Sequence, residues 1–163
     1  MPDPLVSIAV ITYNHEKFIA ECLDSVLSQD YGNIEIVVAD DGSTDGSHTI
    51  LREYEKKYPG KFILRLSAKN QGITRNTNVA LYACSGKYIA WLGGDDLMLP
   101  GKLKKQVAYM ERHPDCRITY HNLEVFDSET QQRLYYFNNP LNSYQGDVSV
   151  VIRRGTFNGA CST

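Results

Sequence analysis

Short apolar runs alternate along the chain with longer stretches in which apolar residues recur every three or four positions. Leu5–Thr12 (LVSIAVIT) is a nearly continuous β-branched run, as a strand buried on both faces requires. Lys17–Ser28 then sets Phe18, Ile19, Cys22, Leu23, Val26 and Leu27 on one side of a predicted helix. The alternation repeats: Ile34–Ala39 (IEIVVA) predicts a second buried strand and Gly46–Tyr58 a second helix. Phe62–Leu66 predicts a third strand, and Ile73–Cys84 a helix with Val79, Ala80 and Ala83 inward. The fourth strand, Tyr88–Leu92, runs through Gly93-Gly94 and Asp95-Asp96 toward a helix over Lys102–Arg112, with Leu103, Val107 and Met110 inward. Strands and helices alternating at crossover spacing predict an α/β fold with a mainly parallel, doubly wound sheet.

The character changes after Pro114. Arg117–Phe126 and Arg133–Phe137 read as strands joined by a turn over Asp127–Gln132, an antiparallel addition near the C-terminus. Gly146–Ile152 reads as a short helix or a loop. The last residues, Phe157–Thr163, are apolar or small and carry no polar tail, which reads as a cut inside a fold. The expectation is one domain over residues 1–163, truncated at its C-terminal end. With 42% hydrophobic and 22% charged residues, a chain of this length can bury a core. A net charge of −2 gives no electrostatic case for nucleic acid. No apolar run is long enough to cross a bilayer, and no signal sequence is visible. Cys22, Cys84, Cys116 and Cys161 are widely spaced, without a CxxC pair, and read as reduced thiols.

The polar residues cluster where the predicted strands end, at Thr12–His15, Asp40–Asp45, Asn70–Gly72 and Gly93–Asp96. In doubly wound sheets, ligands bind beyond the carboxyl ends of the strands. The most informative cluster is GKYIAWLGGDDLMLP, Gly86–Pro100, where a buried strand runs into two glycines and two adjacent carboxylates. Neighbouring carboxylates repel, and at the mouth of an apolar strand a cation beside them relieves the repulsion. The glycines let a ligand approach the backbone. The alternative is a Gly-Gly turn with solvated aspartates capping the next helix. His15, His48, His113 and His121 make no metal-ligand set and read as structural. Asp45 reads as a helix cap.

Taken in order, VSIAVITYN, VVADDGSTDGS, NQGITRN and GKYIAWLGGDD followed by KLKKQVAYMERHP resemble the N-terminal half of glycosyltransferase family 2. These are inverting enzymes with the Rossmann-like A-type glycosyltransferase fold, and the match covers residues 5 to 126. The resemblance implies a nucleotide-diphospho-sugar donor, with UDP-sugar favoured, a divalent cation (Mn or Mg), and transfer to the hydroxyl of a glycan or lipid-linked acceptor. It places Thr12, Tyr13, Asn14, Asp40, Asp41, Asn70, Asn76, Gly94 and Asp95 at the nucleotide-sugar, and Asp95 and Asp96 at the metal. Asp41 would accept an N–H of a uracil-like base, while Tyr13 would either stack on the base or fill a gap. Arg75 is a weaker match to the family's phosphate-contacting Arg. Gly93 departs from the pattern, since many relatives carry an acid there.

The general base that an inverting transfer needs falls, by resemblance, beyond Thr163; Asp115, Glu124 and Asp127 come too early in the pattern. The implied setting is polysaccharide or cell-surface glycan synthesis, in the cytoplasm or peripheral at the inner face of the membrane. Two readings from other classes compete: a donor-binding module without chemistry, and a phospho-acceptor receiver domain. In a receiver the acid pair would close the first strand, where this chain has Thr12-Tyr13-Asn14. A dinucleotide-binding domain fits less well, because no GxGxxG follows that strand.

Overall fold

A computed structural model describes residues 2–137 and Gly146. Its elements follow the predicted alternation: β1 Val6–Thr12, α1 Ile19–Leu27, β2 Ile34–Asp40, α2 Ser47–Lys57, β3 Phe62–Leu66, α3 Ile73–Ala83, β4 Tyr88–Gly93, α4 Lys102–Arg112, β5 Glu124–Phe126 and β6 Arg133–Tyr136. The first four strands form one sheet in the order β3-β2-β1-β4, and every pair in it is parallel. The chain thus moves outward from β1 to β3 and then returns to the far side of β1 for β4.

That reversal decides which face each helix covers. Right-handed crossovers put α1 and α2 on one face and, because the direction of travel flips, α3 on the other. The period-two alternation of the strands follows suit. Val6, Ile8 and Val10 of β1, Ile36 and Val38 of β2, and Ala90 and Leu92 of β4 meet Ile19, Leu23 and Val26 of α1, Leu51 of α2, and Leu103 and Val107 of α4 in the larger core. The intervening residues Ala9, Val37 and Ala39 face the other way, onto Ala80 of α3, with Ile11, Ile63 and Trp91 packed at the margin. Small residues on this second face let α3 lie close to the sheet.

The antiparallel addition is present, but β5 and β6 form a two-stranded sheet of their own. The strand expected from Arg117 begins only at Glu124, because the preceding segment bonds locally. His121 Nδ1 lies 2.6 Å from its neighbour's carbonyl, and the Asn122 side chain accepts the Leu123 amide, contacts that compete with ladder formation. Apart from Gly146, the stretch Gly146–Ile152 lies outside the described residues, as do Phe157–Thr163 and Cys161. The other three cysteines are not in disulfides. Among the described residues no helix is long and apolar enough to cross a membrane.

Candidate functional site

Between β1 and β4, where the strand order reverses, a cleft of about 490 Å³ opens at the carboxyl edge of the sheet. Its size is that of a small-molecule site. Ile11 and Trp91, on the α3 face of the sheet, form its apolar base, with Ile73 at the start of α3 and Tyr13 at the rim. Thr12, His15, Asp41, Asn70 and Asn76 give it polar groups, and Asp95 and Asp96 close one end.

Hydrogen bonds between loops hold these groups in place. Asp41 is buried, and its two carboxylate oxygens accept the amides of Gln71 (2.8 Å) and Gly72 (2.9 Å), which clamps the β3–α3 loop against the end of β2. The loops also touch through their backbones at Gly42. Its φ of +76° suits glycine, and a Cβ there would lie 2.4 Å from the carbonyl carbon of Lys69. Asn14, at φ 55°, staples the β1–α1 loop to the β2–α2 loop: its amide donates to Ser43 Oγ (2.8 Å) and its Oδ1 accepts from the Thr44 amide (2.8 Å). Asp40 is fully buried and turns toward α2. It accepts the Ser43 amide (2.8 Å) and hydroxyl and lies 2.6 Å from His48 Nε2.

At the other end, Gly94 donates its amide to the Ile11 carbonyl (2.8 Å), which presses the Gly-Gly segment against the end of β1. Burial and then the adjacent Asp95 charge push the Asp96 carboxyl above the usual carboxylate range, against smaller opposing contributions from the Gly93 amide and His15. Asp95 lies at the exposed lip, with its Oδ1 3.8 Å from His15 Nδ1. Three buried polar atoms of the cleft have no hydrogen-bond partner: Thr12 Oγ1, His15 Nδ1 and Asn76 Oδ1. The Asn76 amide is oriented by its Nδ2, which donates to the Ala39 carbonyl (2.8 Å). Buried polar groups rarely stay unpaired, so three on one cleft mark a surface shaped to receive a polar ligand.

The family model for glycosyl transferase family 2 matches residues 7–160. The chain belongs to glycosyltransferase family 2. Over 124 residues it is 38% identical to the putative glycosyltransferase EpsE of Bacillus subtilis, covering 76% of this chain and 45% of that protein. Among solved structures it resembles S. aureus TarS (1–349) in complex with UDP-GlcNAc, with TM-score 0.61 and 33% identity over 68% of this chain and 32% of the other. It also resembles the mannosyltransferase PcManGT from Pyrobaculum calidifontis in complex with GDP-Man and Mn2+, with TM-score 0.61 and 30% identity over 66% of this chain and 32% of the other. The chain therefore spans less than half the length of each of these relatives. Its mainly parallel sheet is the Rossmann-like A-type fold of these glycosyltransferases.

Of the residues singled out in this family 2 chain, Thr12, Tyr13, Asp41, Asn70, Asn76, Asp95 and Asp96 converge on the cleft. Asn14, Asp40 and Gly94 are not in its lining. Asp40, expected at the nucleotide-sugar, is placed beside the cleft rather than in its lining. As the last residue of β2 it shares the face of Ile36 and Val38, so its carboxylate is directed to Ser43 and His48 under α2. Asn14 supports the loops, and Gly94 supplies room. Asp45 accepts the Ser47 amide in the first turn of α2 (3.0 Å) and the Glu16 amide (3.0 Å). His15, read as structural, lines the cleft, as do Ile11, Gly72, Ile73, Trp91 and Gly93. A signal for His15 was its position three residues after Thr12 on the same strand-end loop; for Trp91 it was a large aromatic at the carboxyl end of β4, out of phase with Ala90 and Leu92.

Among the described residues no three His, Cys, Asp or Glu side chains gather as a metal cage. Two adjacent carboxylates, one of them pushed up by burial and then by the charge of the other, nevertheless fit a hard divalent cation that takes its remaining ligands from phosphate and water. Asp95 and Asp96 would hold it.

Proposed function

We propose that this chain carries the donor site of an inverting, metal-dependent glycosyltransferase that moves a sugar from a nucleotide-diphospho-sugar, UDP-sugar favoured, to a hydroxyl of a glycan or lipid-linked acceptor. The observation that carries the reading is the set of unpartnered buried atoms, Thr12 Oγ1, His15 Nδ1 and Asn76 Oδ1, on the cleft that Asp95 and Asp96 close. A nucleoside diphosphate offers matching chemistry. Its base is flat and apolar on its faces, suiting Tyr13, Ile73 and Trp91, and its edges and ribose carry hydrogen-bonding groups for Asp41, Asn70 and Asn76. A cation (Mn or Mg) held by Asp95 and Asp96 would supply positive charge against the diphosphate.

In the transfer the acceptor oxygen attacks the anomeric carbon, the bond from that carbon to the diphosphate breaks, and the acceptor's proton passes to a general base. Asp115, Glu124 and Asp127 do not line the cleft, and Asp127 is engaged by the amides and hydroxyl of its own turn, Glu129 and Thr130. We therefore assign the base outside the described residues. That assignment also sustains a second reading, donor binding by this chain without transfer; turnover of about one per second, typical of enzymes, would reject it. The proposed setting is glycan or polysaccharide assembly in the cytoplasm or at the inner membrane face. Relatedness to family 2 removes the support for a receiver domain.

The test is calorimetric binding of UDP, GDP and dTDP, with and without Mn, to this chain and to Asp95→Asn. We expect one nucleotide to bind in a Mn-dependent way and the substitution to remove that dependence. Binding that ignores both Mn and the substitution would refute the metal assignment; no binding of any nucleotide would refute the donor site.

A further inference from the structure

We propose that His15 is a positioning residue for the donor's diphosphate, its Nδ1–H hydrogen-bonding an anionic oxygen beside Asp95. The inference rests on the donor-site reading above and adds a residue that the sequence pattern left as structural.

The backbone of His15 is fixed from both sides. Its amide donates to Ser47 Oγ (3.1 Å), and its carbonyl accepts the amides of Phe18 and Ile19 (2.9 Å each) where the chain turns into α1. These bonds fix the backbone and use neither ring nitrogen. Nδ1 is buried and has no hydrogen-bond partner, although the side chain as a whole is one-quarter exposed at 25%. An imidazole held at a surface normally turns a nitrogen to water or to a protein group. Here the inner nitrogen meets neither, on a residue that lines the cleft.

Gly94 is the backbone that Nδ1 approaches. A Cβ built on Gly94 would sit 2.7 Å from Thr12 Oγ1 and 3.0 Å from His15 Nδ1, so these two unpartnered atoms approach the Gly-Gly segment as closely as only glycine allows. A hydroxyl and a ring nitrogen thus meet beside the backbone of Gly94, and both can donate. The ring's neighbour is the Asp95 carboxylate, 3.8 Å from Nδ1. If Asp95 holds a cation, the groups nearest to it are the anionic oxygens that the cation also binds, so the diphosphate is the part of the donor within reach of Nδ1. A donor placed there suits an anionic oxygen and fixes its orientation, and a hydrogen bond to a charged oxygen is stronger than one to a neutral group.

The experiment compares UDP with uridine, each titrated calorimetrically at fixed Mn into this chain, His15→Ala and His15→Asn. Asparagine carries its amide nitrogen at nearly the distance of Nδ1 from the backbone, so it can restore the donor without the ring. We expect His15→Ala to weaken UDP by about tenfold or more and to leave uridine unchanged, with His15→Asn recovering part of the loss. In wild type, the ring-nitrogen NMR signal of His15 is expected to move on adding UDP and not on adding uridine. Equal weakening of UDP and uridine would mean a contact to the nucleoside or a structural role, and would overturn the assignment. So would UDP binding that survives His15→Ala intact. If wild type binds no nucleoside diphosphate, the donor-site reading itself fails, a result distinct from either.

Discussion

At the scale of single residues, the two glycines ahead of the acid pair do different work. A Cβ on Gly94 would lie 2.7 Å from Thr12 Cβ, an atom anchored to β1, so the strand end itself must give way. A Cβ on Gly93 would meet Asp96 Oδ2 at 2.8 Å and Asp95 Oδ1 at 2.9 Å, the tips of side chains that can rotate aside. We therefore expect Gly94→Ala to cost about 1–3 kcal/mol in urea unfolding, as overpacking does. Gly93→Ala should stay within about 0.5 kcal/mol of wild type but lose the Mn-dependent part of UDP binding, because the carboxylates are displaced. The reverse ranking of stabilities would show that β1 yields more easily than the acid pair. Sequence alone distinguishes the two glycines poorly. GGDD announces a turn and a charge, while the partner that makes Gly94 obligatory, Thr12, lies on a different strand.

At the scale of elements, the end of the sheet away from the cleft has its own clamp. Ser7 of β1 and Glu35 of β2 are register partners, and Ser85-Gly86 leads into β4. Glu35 accepts the hydroxyl of Ser7 (2.5 Å) and the amide (2.6 Å) and hydroxyl of Ser85, so one carboxylate joins three strands. Burial by itself would raise the Glu35 carboxyl, but the hydrogen bonds from Ser7, Ser85 and the Gly86 amide together outweigh it and hold the group below its usual range. A carboxyl depressed in the folded state stabilises the fold above its unfolded pKa, about 4.3, and loses that contribution as pH falls through the folded value. Thermal unfolding between pH 6 and pH 3 should therefore show wild type losing stability more steeply than Glu35→Gln, the two converging in acid; parallel curves would refute the clamp. The main elements were legible because their apolar periods, two for strands and 3.6 for helices, are dictated by local geometry. Which loops pack together was not. The bonds from Asp41 to Gln71 and Gly72 and from Asn14 to Thr44 join segments about thirty residues apart. The surroundings of Asp40 were illegible for the same reason: as one of two adjacent acids, its neighbours depended on which face the strand offered.

At the scale of the molecule, the two faces of the sheet are unequally secured, and the cleft depends on the weaker one. The larger core joins β1, β2 and β4 to α1, α2 and α4 through leucine, isoleucine and valine side chains, each contributing about 1.5–3 kcal/mol on burial. On the other face α3 is the helix that packs on the sheet among the described residues, and its fully buried hydrophobic contact is Ala80 against Ala9, Val37 and Ala39. Small residues allow close approach but remove little apolar area from water. Asn76, bonded to the Ala39 carbonyl, adds a polar tether, and α3 also presents Ile73 and Asn76 to the cleft. Local opening should therefore begin at α3, and a ligand in the cleft should oppose it, since binding only the closed form stabilises by about 2.7 kcal/mol at a hundredfold excess over Kd. Hydrogen exchange followed by mass spectrometry is expected to show Ile73–Ala83 exchanging faster than Ile19–Leu27 in the free chain. With UDP and Mn, the slowing should be concentrated in α3 and in the loop over residues 70–72. Protection spread evenly over the chain would mean that α3 opens only with the whole fold, and that the cleft is as rigid as the core beneath it.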